Sequence, residues 1–353
     1  MATIHHFFAQ AAHHTPSPDN SQPWKLDWRD STLSVYYDTQ RVANKTFPPD
    51  SHATLLTLGA VSENLTQAAN SLNIDLNLSY TNPLDSNNPL YFRAAFDFSN
   101  MQALPTTDNI ALFQRHTNRH AYQNKPLPPE QLQLLKNLTA GKNRILVFEN
   151  KSDIRTIAEL VRRASEIRFQ TREVHEWLAR SLRFDTKNTD SHGEGLDVNT
   201  IDLPPGGKLF LRLISDWNRM NWLNKLGAHK AMAFIDSHPI AKAPAIFAIV
   251  GPDEYQETLH AGQLMNRAWV ELNADGIAAH PYYVVADQLQ RRKENRVPAN
   301  LKTEASEVFQ QARQLFQFQE NETLHMLFRI GFPTKTAAKS KRLPLNIVCP
   351  GIE

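Results

Sequence analysis

The stretch Thr15-Pro16-Ser17-Pro18-Asp19-Asn20-Ser21-Gln22-Pro23-Trp24 constrains the fold of this chain more than any other. Pro16 and Pro18 fix φ and forbid a helix, while Ser17, Asp19 and Asn20 can bond their own backbone. Gln22-Pro23-Trp24 then leads straight into an alternating strand at residues 25–29. The ten residues therefore read as a rigid loop between a helix at 4–14 and that strand. Its Ser17 and Asn20 side chains and free backbone amides suit hydrogen bonding to the edge of a planar heterocycle. An ordinary capped turn is the alternative reading of the same residues.

With 353 residues and 41 % apolar content, the chain is expected to form about two domains with sizeable cores. Its 38 basic and 36 acidic residues are interspersed, for a net charge of +2, so no broad field attracts nucleic acid or an anionic membrane. The single Cys349 excludes internal disulfides and leaves no cysteine pair for zinc or redox chemistry. There is no basic leader and no apolar run of about 18 residues, so a cytoplasmic protein is expected. Among only 12 glycines there is neither G-x-G-x-x-G nor G-x-x-x-x-G-K-[ST], which weighs against a Rossmann dinucleotide site or a P-loop. Any phosphate must be held by side chains.

Helical spacing predicts helices over 52–72, 110–114, 129–138, 154–182, 209–226, 228–236, 256–274 and 304–317. Alternation or short apolar runs predict strands over 33–38, 74–80, 91–98, 144–149, 245–250 and 324–330. Residues 81–89 read as a linker and 105–109 as a break, after which the order helix, turn, strand begins again. The helices at 52–72 and 256–274 carry a weak echo, Gly59 in one and Gly262 in the other. Residues 183–208 lack periodicity and read as a lid or mobile loop.

Two clusters could hold an anion. Arg115, Thr117 and Arg119 alternate in R-x-T-x-R, which puts two guanidinium groups and a hydroxyl on one face of an extended segment. Lys339, Lys341 and Arg342 form the second cluster. A solvated turn and a basic tail are the plain alternatives. Charge-assisted bonds of roughly 1.5–3 kcal/mol each can be offset by the roughly 4–15 kcal/mol cost of association, so a phosphate ligand needs a ring-binding region too. His5, His6, His13 and His14 have no acidic partner at ligand spacing and argue against a metal. His116 and His120 read as flanking the phosphate.

On these residues the chain resembles the nitroreductase family. PSPDNSQPW is similar to that family's P-S-x-x-N-x-Q-P-W loop, RHTNRHAY to its R-x-S-x-R-x-[FY] opening, and KSKRLPL to its C-terminal K-S-R-L-P. In that family two subunits share each FMN. The resemblance also brings in a segment near flavin N5, matched by Gly276-Ile277-Ala278-Ala279-His280-Pro281-Tyr282-Tyr283-Val284, with Tyr283 and Val284 where glycines are usual. The first half has the ring loop without an arginine motif, and the second has the reverse. This implies an α+β fold duplicated in one chain, a pseudo-dimer of mixed sheets flanked by helices, similar to the tandem, Acg-like branch. The halves would be 1–109 and 110–353, with a lid insertion around 183–230.

The resemblance implies an FMN-dependent oxidoreductase that takes hydride from NAD(P)H and reduces a nitroaromatic, quinone or similar small electron acceptor. Ser17, Asn20 and Gln22 would meet the ring, Arg115, Thr117, Arg119, Lys341 and Arg342 the phosphate, and Pro281, Tyr283 and Val284 the region of N5. Asp275 and His280 lie near that segment without an assigned role. A protein that sequesters FMN behind a lid is the rival reading, and a fold that binds no flavin is a third. A monomeric pseudo-dimer is one expected arrangement, and the oligomeric state is open.

Overall fold

The computed structural model describes residues 2–352 apart from 44, 82–88, 102, 104–105, 108–109, 185–192 and 204. The heart of the expected 81–89 linker, most of the 105–109 break and part of the expected lid thus lie outside the described residues. The rest is a mixed α+β architecture in which helices flank two main sheets.

The first sheet is formed by β1 (Trp24–Arg29), β2 (Thr32–Tyr37), β3 (Asp75–Tyr80) and β4 (Leu90–Asp97), in the antiparallel order β1-β2-β4-β3. The second adds β5 (Thr139–Ala140) to β6 (Asn143–Phe148), β9 (Ala245–Pro252), β10 (Ala278–Tyr282) and β11 (Glu322–Gly331). Its antiparallel order is β5-β6-β9-β11-β10. With β5 set aside, β6, β9, β11 and β10 repeat the order β1, β2, β4 and β3. In both halves a 20-residue helix, His52–Ser71 or Tyr255–Ala274, links the second strand to the third.

These two helices end alike. Asn73 (φ 54°) and Gly276 (φ 71°) take left-handed conformations, and the amides of Ile74 and Ile277 reach back to the carbonyls of Ala69 and Leu272. Such a Schellman ending satisfies carbonyls the helix would otherwise leave bare. Each pair lies 203 residues apart (59 to 262, 73 to 276, 74 to 277). The weak sequence echo is thus one register running through two copies of a motif.

The helices cross at Gly59 and Gly262, where a Cβ on either would fall 3.0 Å from the other's Cα. Beside the crossing Asn266 donates to Asn64 at 2.6 Å, and Arg267 forms two 2.8 Å bonds to Glu63. Under the 203-residue correspondence one pair occupies the positions of the other, as a two-fold interface requires.

Strand burial follows from this layering. β4 alternates buried and exposed residues, having one covered face, whereas β9 is buried almost throughout. Ile246, Ala248 and Val250 face the core of helices Lys151–Gln170, Val284–Lys293 and Lys302–Leu315, and Ala245, Phe247 and Ile249 that of Tyr255–Ala274 and Pro129–Asn137. The third core packs helices Ala2–His13 and His52–Ser71 on the first sheet and takes in Leu343, Val348 and Cys349 from the C-terminal tail.

Three local expectations are corrected. The helix read over 154–182 is two, Lys151–Gln170 and Arg172–Ser181, because Thr171 is extended and its hydroxyl donates to the Ile167 carbonyl. The helix read over 209–226 breaks into Gly207–Ile214 and Trp217–Lys225, where Asp216 accepts from the Arg219 amide as a cap. Residues 278–293 form an unforeseen strand and helix. Pro281 masked the strand, and it is tolerated because β10 lies at the sheet edge. In the expected lid, β7 (Leu182–Arg183) pairs in parallel with β8 (Leu196–Asp197). Helices Gly207–Ile214, Trp217–Lys225 and Ala228–Ala241 follow, around a small core of Phe169, Ile214, Met220 and Ala233.

Candidate functional site

A cavity of about 360 Å³ lies where the halves meet, within the ~300–1,000 Å³ usual for small-molecule sites. Its wall draws on the 16–20 loop, helix His52–Ser71, the R-x-T-x-R segment, residues 280–284 and the C-terminal 339–342 stretch. Ser17, Asn20, Arg115, Thr117, Arg119, Pro281, Tyr283, Val284 and Arg342 all line it. Gln22 and Lys341 do not form part of this wall.

One end is cationic. Arg115, only 4 % exposed, donates to the His14 carbonyl at 3.0 Å and lies 4.6 Å over the Trp269 ring, but its Nε has no partner. Arg342 donates to the same carbonyl at 3.2 Å and leaves one terminal nitrogen bare. Burial and then the Arg342 charge hold the Arg115 pKa well below its usual value, and burial lowers that of Arg342 to about 10. His14 is lowered to about 2 by burial, then by Arg115, Arg342 and Lys339. Neither arginine forms an ion pair with a described carboxylate. Buried guanidinium groups in this condition are costly unless an anion meets them.

The two arginines of the motif keep different company, which corrects the picture of a shared grip. Arg119 reaches Thr200 at 3.5 Å; burial lowers its pKa, while nearby Asp19 opposes the shift. The Asp19 carboxyl is itself raised by burial, against Arg168, Ser181 and Arg119. His116 lines the cavity, whereas His120 lies 3.1 Å from Asp202.

The loop is held by its own polar groups. Ser17 Oγ accepts from the Gln22 amide at 2.9 Å, and Asn20 Nδ2 donates to the carbonyls of Gly193, Gly195 and Lys341 at 3.1, 3.3 and 2.8 Å. Gln22 donates to Gly193 O at 2.9 Å and accepts from the Leu343 amide at 3.0 Å. The amides expected to face a heterocycle instead clamp three chain segments together. Asp19, Asn20 and Gln22 have φ of 47°, 57° and 49°, which asparagine and aspartate tolerate better than glutamine. Gly193 is required: a Cβ there would fall 2.2 Å from the Arg342 carbonyl oxygen.

At the opposite wall, Tyr283 precedes helix Val284–Lys293, whose first amides have no side-chain cap. Such amides favour a negatively polarised ligand atom. The Tyr283 hydroxyl bonds His52 Nδ1 at 3.0 Å, and His52 Nε2 bonds His325 Nδ1 at 2.9 Å. His325 interrupts the β11 register between Leu324 and Met326, an irregularity that re-aims a side chain. Burial holds both histidines at about 3, hence neutral. Phe47 packs edge-on to Trp177 and Tyr283, with centroids 5.1 and 6.1 Å apart, to form an aromatic roof.

Sequence reasoning missed Arg329, which is 2 % exposed and donates to the carbonyls of Arg119 and His120 at 2.7 and 3.0 Å and to His280 Nδ1 at 3.2 Å. It straightens the R-x-T-x-R segment from behind, and a lone arginine within a strand carries no local signal for that role. His280 is lowered well below its usual value, first by burial and then by Arg329 and Arg119. Asp275 instead accepts from Gln131 outside the wall. The described residues contain no metal-ligand cluster; His13 donates to Leu343 O at 2.9 Å and accepts from the Trp24 indole at 3.2 Å.

Fold and site together define a two-half α+β protein with a small-molecule cavity at the seam, cationic at one end and aromatic above. No family profile and no curated protein matches the chain. Solved structures of nitroreductase-family proteins do. The chain is 13 % identical to iodotyrosine deiodinase bound to FMN and 3-iodo-L-tyrosine, over 66 % of this chain and 94 % of that one, at a TM-score of 0.34. It is 12 % identical to a nitroreductase with bound FMN from Bacteroides fragilis, over 68 % and 95 %, at 0.37. A nitroreductase-like protein from Bacillus cereus matches at 10 % identity over 70 % and 96 %, at 0.36. No described helix is long and apolar enough to cross a membrane.

Proposed function

We propose that this chain binds one FMN at the seam of its halves and is an oxidoreductase of the nitroreductase type. The observation that carries the reading is the pair of arginines, buried Arg115 and half-buried Arg342, each with a bare nitrogen and no described carboxylate partner. A phosphate monoester is the ligand group their donor set fits, since a planar fork meets its oxygens two at a time. Lys339 and Ser340 extend that end of the wall. Arg119 serves the middle of the cavity rather than the phosphate. The first amides of helix Val284–Lys293 would receive the polar edge of the ring, and Leu56, Met265 and Met326 offer it apolar wall.

FMN held there would supply the redox chemistry, which in this reading takes hydride from NAD(P)H and reduces a nitroaromatic, quinone or similar acceptor. The chain's own part is to bind, orient and exclude water. A second reading, FMN storage, is favoured by the aromatic roof of Phe47, Trp177 and Tyr283.

The test is titration of the purified protein with FMN, followed by anaerobic NADH and NADPH and then an acceptor. Prompt bleaching with turnover supports the oxidoreductase, and flavin that binds yet never bleaches supports storage. Arg115→Ala together with Arg342→Ala is expected to abolish FMN binding while circular dichroism is unchanged. A variant that keeps FMN overturns the site.

A further inference from the structure

The three helices that follow β8 expose apolar side chains a monomer in water would be expected to bury. Leu209 is 75 % exposed, Leu226 71 %, Trp222 59 % and Phe234 58 %, with Phe210, Leu213 and Ile235 also open. Each helix already uses its other face, since Ile214, Met220 and Ala233 fill the small core shared with Phe169. Helices Gly207–Ile214 and Ala228–Ala241 each pack on Trp217–Lys225, and exposed apolar surface on neighbouring elements marks an interaction site.

The charge around it is one-sided. Lys208, Arg212, Arg219, Lys225 and Lys230 are exposed on these helices, and none pairs with a described carboxylate. Asp216 is spent as a helix cap, and Asp236 faces the cavity and accepts from Ser165. Lys208 and Arg212 form an i,i+4 pair alongside the i,i+4 pair Leu209 and Leu213. Arg219 and Lys225 stand three residues before and after Trp222, one to each side of it.

We propose that this surface docks on an anionic lipid bilayer, with the leucines, Phe210 and Trp222 in the interface and the cations at the headgroups. Apolar faces bordered by lysine and arginine, with tryptophan among them, suit interfacial helices. A second copy of the chain is the weaker occupant, because a two-fold interface would set these cations against their own images with few acids to offset them. The chain's net charge of +2 conceals a local basic run, since residues 206–234 carry five lysines and arginines and a single acid, Asp216. Docking here departs from the expectation that no anionic membrane is attracted, and it does not rest on the FMN reading.

The full-length protein is mixed with phosphatidylcholine vesicles, or with vesicles one quarter phosphatidylglycerol, and sedimented over a range of salt. Binding to the anionic vesicles alone, lost as salt rises, is expected. Leu213→Glu with Trp222→Glu should abolish it, and Lys208→Gln with Arg212→Gln should weaken it roughly 30-fold, with thermal unfolding unchanged in both. Absence of binding to anionic vesicles overturns the proposal, as does equal binding to neutral ones. A stable dimer by light scattering that Leu213→Glu dissolves overturns it in favour of a second copy.

Discussion

Substituting Gly59 by alanine tests the crossing on which both halves and the cavity depend. Inside a helix this change normally stabilises by about 0.8–1.0 kcal/mol through propensity alone. Here the added Cβ would sit 1.9 Å from the Leu259 carbonyl oxygen, where real Cβ atoms essentially never approach below 3.0 Å. The helices must therefore part by about 1.1 Å, the difference between those distances. A gap of 0.5–1 Å already forfeits a quarter to a half of the dispersion energy of the atoms facing it. Overpacking costs about 1–3 kcal/mol, and the upper end applies because the obstacle is backbone, which has no rotamer to yield. Less the propensity gain, the net loss is about 2 kcal/mol. Gly262→Ala meets the Leu56 carbonyl oxygen at 2.1 Å and should behave alike. The double variant should lose less than the sum, about 3 kcal/mol, because the second methyl enters a crossing already parted. Urea unfolding followed by circular dichroism reads all three. Gly59→Ala at or above wild-type stability would refute the reasoning.

Other outcomes follow from buried polar groups. His13, His14, His52 and His325 are held at about 4, 2, 3 and 3, below the unfolded 6.5. Their stability contribution is therefore complete above pH ~6.5 and falls as pH drops toward those values, by up to ~1.4 kcal/mol per pH unit for each histidine; urea midpoints from pH 7 to pH 4.5 check this, and a flat profile contradicts it. Arg267→Met strands the Glu63 carboxylate, 2 % exposed, and should cost about 3 kcal/mol, the low end of the range because Arg267 is 35 % exposed. Glu63→Gln, which keeps a hydrogen-bonding group, should cost visibly less in the same assay. Asn20→Ala removes three bonds to carbonyls and puts alanine, which tolerates φ 57° less well than asparagine, in its place, so hydrogen exchange should quicken at 193–195 and 341–343. Asn20→Gly, free of the φ penalty, should lose about 1 kcal/mol less.

Much of the fold was legible because the signals are local. Period-two and period-3.6 patterns located all the strands of the first sheet and both crossing helices, since amphipathicity requires only near neighbours. The R-x-T-x-R segment, the 15–24 loop and the basic tail could be singled out for the same reason, as turn chemistry and charge spacing are written over ten residues or fewer. Helix 284–293 was not legible, because Pro281 suppressed the strand that leads into it.

What the sequence by itself determined is the set of elements and the chemistry on offer: loop, arginines, basic tail and two helices with matching glycines. Tertiary structure alone decided how they are used. It placed Arg115 with Arg342 and Arg119 with Asp19, made Asn20 and Gln22 a clamp on Gly193 and the tail, and set His52 against His325. The physical reason is range: propensity and periodicity act over a turn or two, whereas these partners lie some 100 to 320 residues apart and meet only once the two sheets and their crossing helices have packed.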